Sequence, residues 1–327
     1  MFYWGAMMSE VWNLNWPYAL GGAPVTADFR TEAEDFVVDE LAFPEPAEGG
    51  EHIYLLIKKR GANTAWVAKQ LSKLAGVRPL DVSYFGLKDR HAVTTQWFSV
   101  WLGQKPEADW SQINSDEISL LQAFRGARKL RRGEHAGNRF KIRLRNVSGD
   151  REAAEGVLER IGNGIPNYFG EQRFGIDGGN LDLARQLAEE EGRCRKSEKA
   201  FAMSAARSWL FNQVLAERVN RGSWQQCLDG EPQSEPSGPL WGRGRNLSSG
   251  AQGELEQSTL EAWQAWCNWL EHCGLKQERR PLILCPEAFR YQWKSDDLVL
   301  EFALPPGAFA TALLREVAQL VNVNSDT

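Results

Sequence analysis

Lys88, Asp89, Arg90 and His91 follow one another in a chain of 327 residues, a carboxylate held between two cations with an imidazole beside them. A carboxylate so placed can serve as a general acid or base, or as a nucleophile that attacks weakly but also leaves again readily. Taken alone, an aspartate in a Lys-Asp-Arg loop reads as a turn or cap residue, and its neighbours as solvated charges or as cations that steer phosphate toward it. A second cluster is basic. Residues 125–145 carry nine Lys or Arg against Glu134, a local charge of +8, whereas nine acids face Arg30 alone between Asp28 and Glu51. The net charge of −5 excludes an indiscriminate coat for nucleic acid, so the basic stretch suggests a polyanion bound at one place.

Other chemistries lack their residues. The chain has no G-x-x-x-x-G-K-[ST] loop, no G-x-G-x-x-G turn, no G-x-S-x-G elbow and no H-x-E followed by P-C-x-x-C. Of four histidines, only His91 lies in a suggestive loop. The five cysteines form no C-x-x-C pair, and Cys267, His272 and Cys273 lack a second pair of ligands, so no metal site is expected. Reduced thiols suit a cytoplasm. No apolar run reaches membrane-spanning length, and residues 1–10 lack the basic leading segment and cleavage site of a signal peptide.

The elements that must position these residues follow from periodicity. Residues 34–61 read as two strands around a turn, predicted to pair antiparallel through Phe36, Val37 and Val38 and through Ile53, Leu55 and Ile57. Asn63 or Thr64 can cap a helix carrying Val67, Leu71 and Leu74, with Gly76 after its end. Strands on either side of residues 86–93 put Asp89 in a loop at strand ends. Along residues 139–147, Phe140, Ile142 and Leu144 alternate with Arg139, Lys141, Arg143 and Arg145, giving one core face and one basic face. A helix over 151–161 ends at Gly162. Residues 164–284 change character, with helical stretches at 182–191, 204–220 and 254–271 and a long Gly- and Pro-rich loop over 229–253, ordered by function or mobile. Strand patterning returns after Pro286, and a helix follows through Phe309, Leu313, Leu314 and Val317. The expected organisation is an α+β chain: a sheet domain over 1–163 and 285–327, interrupted by a mostly helical α/β insertion over 164–284.

Three segments carry a recognisable signature: Phe85-Gly86-Leu87-Lys88-Asp89-Arg90-His91-Ala92-Val93-Thr94-Thr95-Gln96, Gly137-Asn138-Arg139-Phe140, and Pro166-Asn167-Tyr168-Phe169-Gly170-Glu171-Gln172-Arg173-Phe174-Gly175. With Glu34-Asp35-Phe36-Val37-Val38-Asp39-Glu40, Ala205-Ala206-Arg207-Ser208-Trp209-Leu210-Phe211-Asn212 and Leu304-Pro305-Pro306-Gly307-Ala308-Phe309-Ala310-Thr311, the chain resembles the TruD family of transfer RNA pseudouridine synthases from about residue 20 to 320. The resemblance implies an antiparallel-sheet pseudouridine synthase domain with a family-specific insertion. It implies that Asp89 is the catalytic aspartate of the G-x-K-D-x-x-A-V-T motif, and that Asn138 and Phe140 are the N-x-F pair shaping the uracil pocket. Phe36 and Phe309 match two further phenylalanines of that pocket. Arg30 stands where relatives often have a lysine near the aspartate, and arginine can grip a carboxylate bidentately where lysine cannot.

Such an enzyme detaches uracil at N1, rotates it and rejoins it through C5, so no group is gained or lost and no cofactor is called for. The expected partner is transfer RNA, with its thirteenth nucleotide, in the D arm, as the implied target. Arg128, Lys129, Arg131 and Arg132 are the candidates for RNA-backbone contacts. The expected setting is a cytoplasmic monomer with neither metal nor membrane attachment. An alternative from another class is an RNA-binding or RNA-folding chaperone on the same scaffold, for which the basic segment suffices and Asp89 is immaterial.

Overall fold

The computed structural model describes residues 12–190 and 192–322, which fall into two compact units. The chain runs through β1 (Val25–Phe29), β2 (Phe36–Leu41), β3 (His52–Arg60), α1 (Thr64–Leu74), β4 (Val82–Tyr84), β5 (Val93–Trp101), β6 (Ile118–Gly126), β7 (Gly137–Gly149) and α2 (Arg151–Ile161). It continues through β8 (Ile165–Pro166), α3 (Gly179–Glu189), α4 (Lys196–Asn220), β9 (Ser237–Leu240), α5 (Gly250–Leu260), α6 (Gln264–Glu271), β10 (Glu278–Pro281) and β11 (Ile283–Leu284). It ends with β12 (Glu287–Lys294), β13 (Asp297–Leu304), α7 (Ala310–Val317) and β14 (Ala318–Asn322).

The sheet unit comprises residues 23–163, 285–310 and 317–322 of those described. Its ten-stranded, mostly antiparallel sheet has the central order β12-β13-β7-β2-β5-β3-β6, with β1 beside β7 and β14, and β4 beside β5. The expected antiparallel pairing of β2 with β3 is corrected here. β5 lies between them, parallel to β2 from Val37 opposite Val93 and antiparallel to β3 from Arg60 opposite Val93. Both strands begin as apolar runs, and nothing local says that a third strand, distant in sequence, separates them. That order has a functional consequence, because the loop over residues 86–92, which enters β5, opens between the start of β2 and the end of β3.

Alternation along β3 sends Ile53, Leu55 and Ile57 to one face, where Val67, Ala68 and Leu71 of α1 cover them. Tyr54 points to the other face and packs with Ala42, Phe85, Trp97 and Leu130. α1 starts where the sequence places it, because the Asn63 side chain accepts the Ala65 N–H at 2.8 Å. α2 likewise follows its Asp150 cap, whose carboxylate accepts the Ala153 N–H at 3.0 Å.

The other unit contains residues 12–22, 164–284 and 311–316. Residues 12–22 belong here because buried Glu316 accepts the Leu20 N–H at 3.0 Å and Trp16 packs on Tyr168, Phe174 and Trp209. The expected helix over 254–271 is broken by a short 3-10 turn at Glu261–Trp263, leaving α5 and α6. The long loop over 229–253 is ordered by a buried ionic network. Arg279 bonds Glu256 at 2.6 Å and Glu231 at 3.2 Å, Arg218 reaches Glu231 at 3.3 Å, and β9 pairs with β10. A loop with buried counter-charges needs no apolar stripe, so periodicity could not reveal it.

Candidate active site

Asp89 sits in the loop between β4 and β5 with its carboxylate 39% exposed, accessible to a substrate. Five contacts fix that loop from below. The Gln96 amide of β5 donates to Gly86 O at 3.0 Å, and Thr64 Oγ1 at the start of α1 accepts the Lys88 N–H at 3.0 Å. Lys88 Nζ forms an ion pair with Glu40 of β2 at 2.7 Å, Lys59 of β3 donates to Asp89 O at 2.9 Å, and the Gly61 N–H donates to Ala92 O at 3.2 Å. Three strands and the start of α1 thus converge on Gly86, Lys88, Asp89 and Ala92.

The Lys88–Glu40 pair is dry, with side chains 6% and 0% exposed. Burial pushes the Glu40 carboxyl up from its ordinary range, against the pull of the Lys88 ammonium. Glu40 Oε2 also accepts the Trp97 N–H at 2.9 Å, so one of its oxygens is satisfied from the loop and the other from β5.

Arg30 follows β1 in the left-handed region at φ 58°, a conformation that turns its side chain back over the sheet. Its guanidinium lies 4.4 Å above the Phe36 ring and 4.9 Å from that of Phe29, and its Nη2 donates to Asp89 Oδ2 at 2.7 Å. Two rings and a carboxylate therefore define one position for the cation.

Phe36 and Phe140 stand on the same face of neighbouring strands β2 and β7, their rings edge to face at 6.1 Å, and Phe140 stacks on Phe302 of β13 at 5.3 Å. Phe140 is only 7% exposed, so it belongs to the core as well as to the wall near Asp89. Asn138 lies opposite Glu40 in the β2–β7 register and on the Phe140 face. Its Nδ2 is 3.4 Å from Nε2 of His135, and its Oδ1 is buried without a protein partner among the described residues. His135 stacks on Phe85 with ring centroids 6.1 Å apart, and burial pushes its imidazole down to about 4, leaving a neutral ring whose Nε2 can accept from the amide. Phe309 is half-buried just ahead of α7.

The four basic loop residues are exposed beside this site. The loop is docked by Gly133 N–H on Phe85 O at 2.9 Å and by Leu130 N–H on Ser99 Oγ at 3.1 Å. Arg128 pairs with Glu134 at 2.7 Å, Lys129 donates to Leu80 O at 3.1 Å, Arg132 lies 5.7 Å from the Tyr84 ring, and Arg131 is at the surface. The basic face of β7 is different. Lys141 pairs with Glu301, Arg143 with Asp297, and Arg145 with Asp35 and Glu32, so three of its four cations already have carboxylates. That face is a cross-strand ionic lattice. Its partners come from residues 32–35 and 297–301, too far along the chain for the pattern to show them.

Lys59, Glu40 and His135 were not singled out from the sequence. Glu40 and Lys59 each occupy the buried phase of an otherwise apolar alternation, the one available signal. No group of three or more metal-binding side chains occurs among the described residues, and no helix there is long and apolar enough to cross a membrane.

The family model for tRNA pseudouridine synthase D (TruD) matches residues 15–188 and 231–317. A tRNA pseudouridine synthase D from Cellvibrio japonicus is 50% identical, covering 95% of this chain and 94% of that one. One from Marinobacter nauticus is 43% identical over 96% and 97%. A solved structure from Methanosarcina mazei, assigned to the same synthase, superposes with a TM-score of 0.67 at 21% identity over 94% of this chain and 96% of that one, which bears on fold alone. With that model matched over most of the chain and a relative 50% identical along nearly its whole length, the chain belongs to the tRNA pseudouridine synthase D (TruD) family.

Proposed function

We propose that this chain isomerises one uridine of transfer RNA to pseudouridine, the thirteenth nucleotide in the D arm, with Asp89 as nucleophile. The observation that carries the reading is the accessible Asp89 carboxylate bonded at 2.7 Å to an arginine that lies on Phe36, on a loop anchored to three strands and a helix. Such a carboxylate is held in place before substrate arrives, which lowers the cost of reaching the reacting geometry.

A uridine paired or stacked in RNA must be swung out before its ring can be reached. Asn138 Oδ1, oriented by the neutral His135 ring, supplies an acceptor for uracil N3–H, and the Phe36–Phe140 wall supplies apolar contact. Asp89 then attacks C1′ or C6. The carboxylate charge passes to the uracil ring, the N1–C1′ bond breaks, and the retained base turns. C5 bonds to C1′ as the carboxylate is released, the C5 proton passes to solvent, and N1 takes up a proton in its place. Arg128, Lys129, Arg131 and Arg132 hold the RNA backbone, and the unit built on residues 164–284 reads RNA shape.

Isomerisation replaces the hydrogen on C5. Transfer RNA labelled with tritium at C5 of uridine should therefore release tritium into water when incubated with the protein, at the same rate with and without a chelator. No release, or release abolished by chelation and restored by a metal, contradicts the reading.

The basic loop supplies a separate prediction. Each phosphate contact releases counterions, so log affinity should fall with log salt by about 0.7 to 0.9 per contact. Replacing Arg128, Lys129, Arg131 and Arg132 together by Ser should weaken binding at least tenfold at low salt and flatten that slope by about two or three units. An unchanged slope in filter binding returns the four residues to solvent.

A further inference from the structure

Lys59 is fully buried at the end of β3. The strand's alternation puts it in line with Ile53, Leu55 and Ile57, beneath α1 and opposite Thr94 and Ile118, where an apolar residue is the usual occupant. Its ammonium donates to Ala62 O at 2.7 Å and to Asp89 O at 2.9 Å. The charges that act on it are Asp89, which attracts it, and Lys88, which repels it and is itself paired with Glu40. Facing strands β5 and β6 present uncharged residues at this position, and α1 presents Thr64, Val67 and Ala68 as its buried residues there. A buried lysine with that surrounding has the Asp89 carboxylate as its principal counter-charge.

Resting on the reading of Asp89 as nucleophile, we propose that Lys59 is a positioning residue for the isomerisation: its ammonium pins the Asp89 main chain from behind while Arg30 holds the side chain from in front. The consequence reaches into the covalent step. When an Asp89 oxygen forms its bond to C1′ or C6, the electron pair it displaces carries the negative charge into the uracil ring, and Lys59 loses its counter-charge. When that bond breaks, its electron pair returns to the carboxylate and the attraction is restored. Lys59 therefore favours the free carboxylate over its ester and speeds release of the intermediate, so the enzyme does not stall on the adduct.

Burial lowers the Lys59 ammonium from its ordinary range to about 8, against the opposing pull of Asp89. The charged lysine is the active form, so the single-turnover rate should be level below this range and fall as pH rises through it. Lys59→Met should cut the single-turnover rate with saturating transfer RNA at least a hundredfold, shift the RNA dissociation constant less than threefold, and abolish the alkaline fall that the wild type shows near pH 8. Lys59→Gln, which can still donate to a carbonyl but carries no charge, should keep the fold and recover less than a tenth of the wild-type rate. If both variants melt too low to assay, the wild-type profile decides: a rate still level at pH 9.5 overturns the proposal. Wild-type-like turnover in Lys59→Met, or an unchanged alkaline limb, overturns it too. Asp89→Asn is run alongside. An active Asp89→Asn sinks the nucleophile reading itself, whereas an inactive Asp89→Asn beside a fully active Lys59→Met sinks only the role of Lys59.

Discussion

Asp89→Asn should eliminate pseudouridine formation, a loss of roughly 10³-fold or more, while RNA affinity stays within about threefold. The amide oxygen can still accept from Arg30 Nη2, and the main-chain bond from Lys59 does not involve the side chain, so the loop should keep its shape. What disappears is the charged oxygen that attacks. No other carboxylate on the loop can replace it, since residues 85–96 contain no second acid. Retention of a tenth of wild-type turnover would remove Asp89 from the nucleophile role. The same comparison settles the chaperone alternative, because a protein that only binds or refolds RNA yields no product in the wild type.

The second large effect concerns stability. Glu40→Gln leaves the Lys88 ammonium in a dry site without its counter-charge. Stranding one member of a buried pair costs about 3–5 kcal/mol, which for a unit of this size lowers the melting temperature by roughly 10 °C. Replacing both partners, as Glu40→Leu with Lys88→Met, should recover part of that loss, because no charge is left stranded, although the buried Trp97 N–H loses its acceptor. The double variant should nevertheless remain slow, since Lys88 adjoins Asp89 and its anchor to β2 is gone. A Glu40→Gln protein that melts within 2 °C of the wild type by circular dichroism would show that the pair is not the anchor described here.

The two kinds of expectation drawn from the sequence fared differently, for physical reasons. α2 was legible to the residue, and the start of α1 to within one residue, because their caps and apolar spacing are local. Strand partners were not, because β5 enters between β2 and β3 by a connection of more than thirty residues, and either pairing satisfies the same apolar runs. The alternation over residues 139–147 correctly placed Phe140, Ile142 and Leu144 in the core, yet the charges opposite them could not be assigned partners that arrive from elsewhere in the chain. Asp89 was an undistinguished loop aspartate until motif order gave it context. Lys59 stayed hidden because Lys58, Lys59 and Arg60 look like one solvated run, and only the strand's phase separates the buried middle residue from its exposed neighbours. Arg30 needed a left-handed backbone that its residue type does not announce.

The most direct measurement is to incubate the protein with an unmodified transfer RNA pool and map pseudouridine at single-nucleotide resolution, with Asp89→Asn as the paired control. New pseudouridine should appear at the thirteenth nucleotide of a subset of transfer RNAs, and nowhere in the control. No new pseudouridine in the wild type, pseudouridine scattered over many positions, or an equal signal from Asp89→Asn would contradict the account.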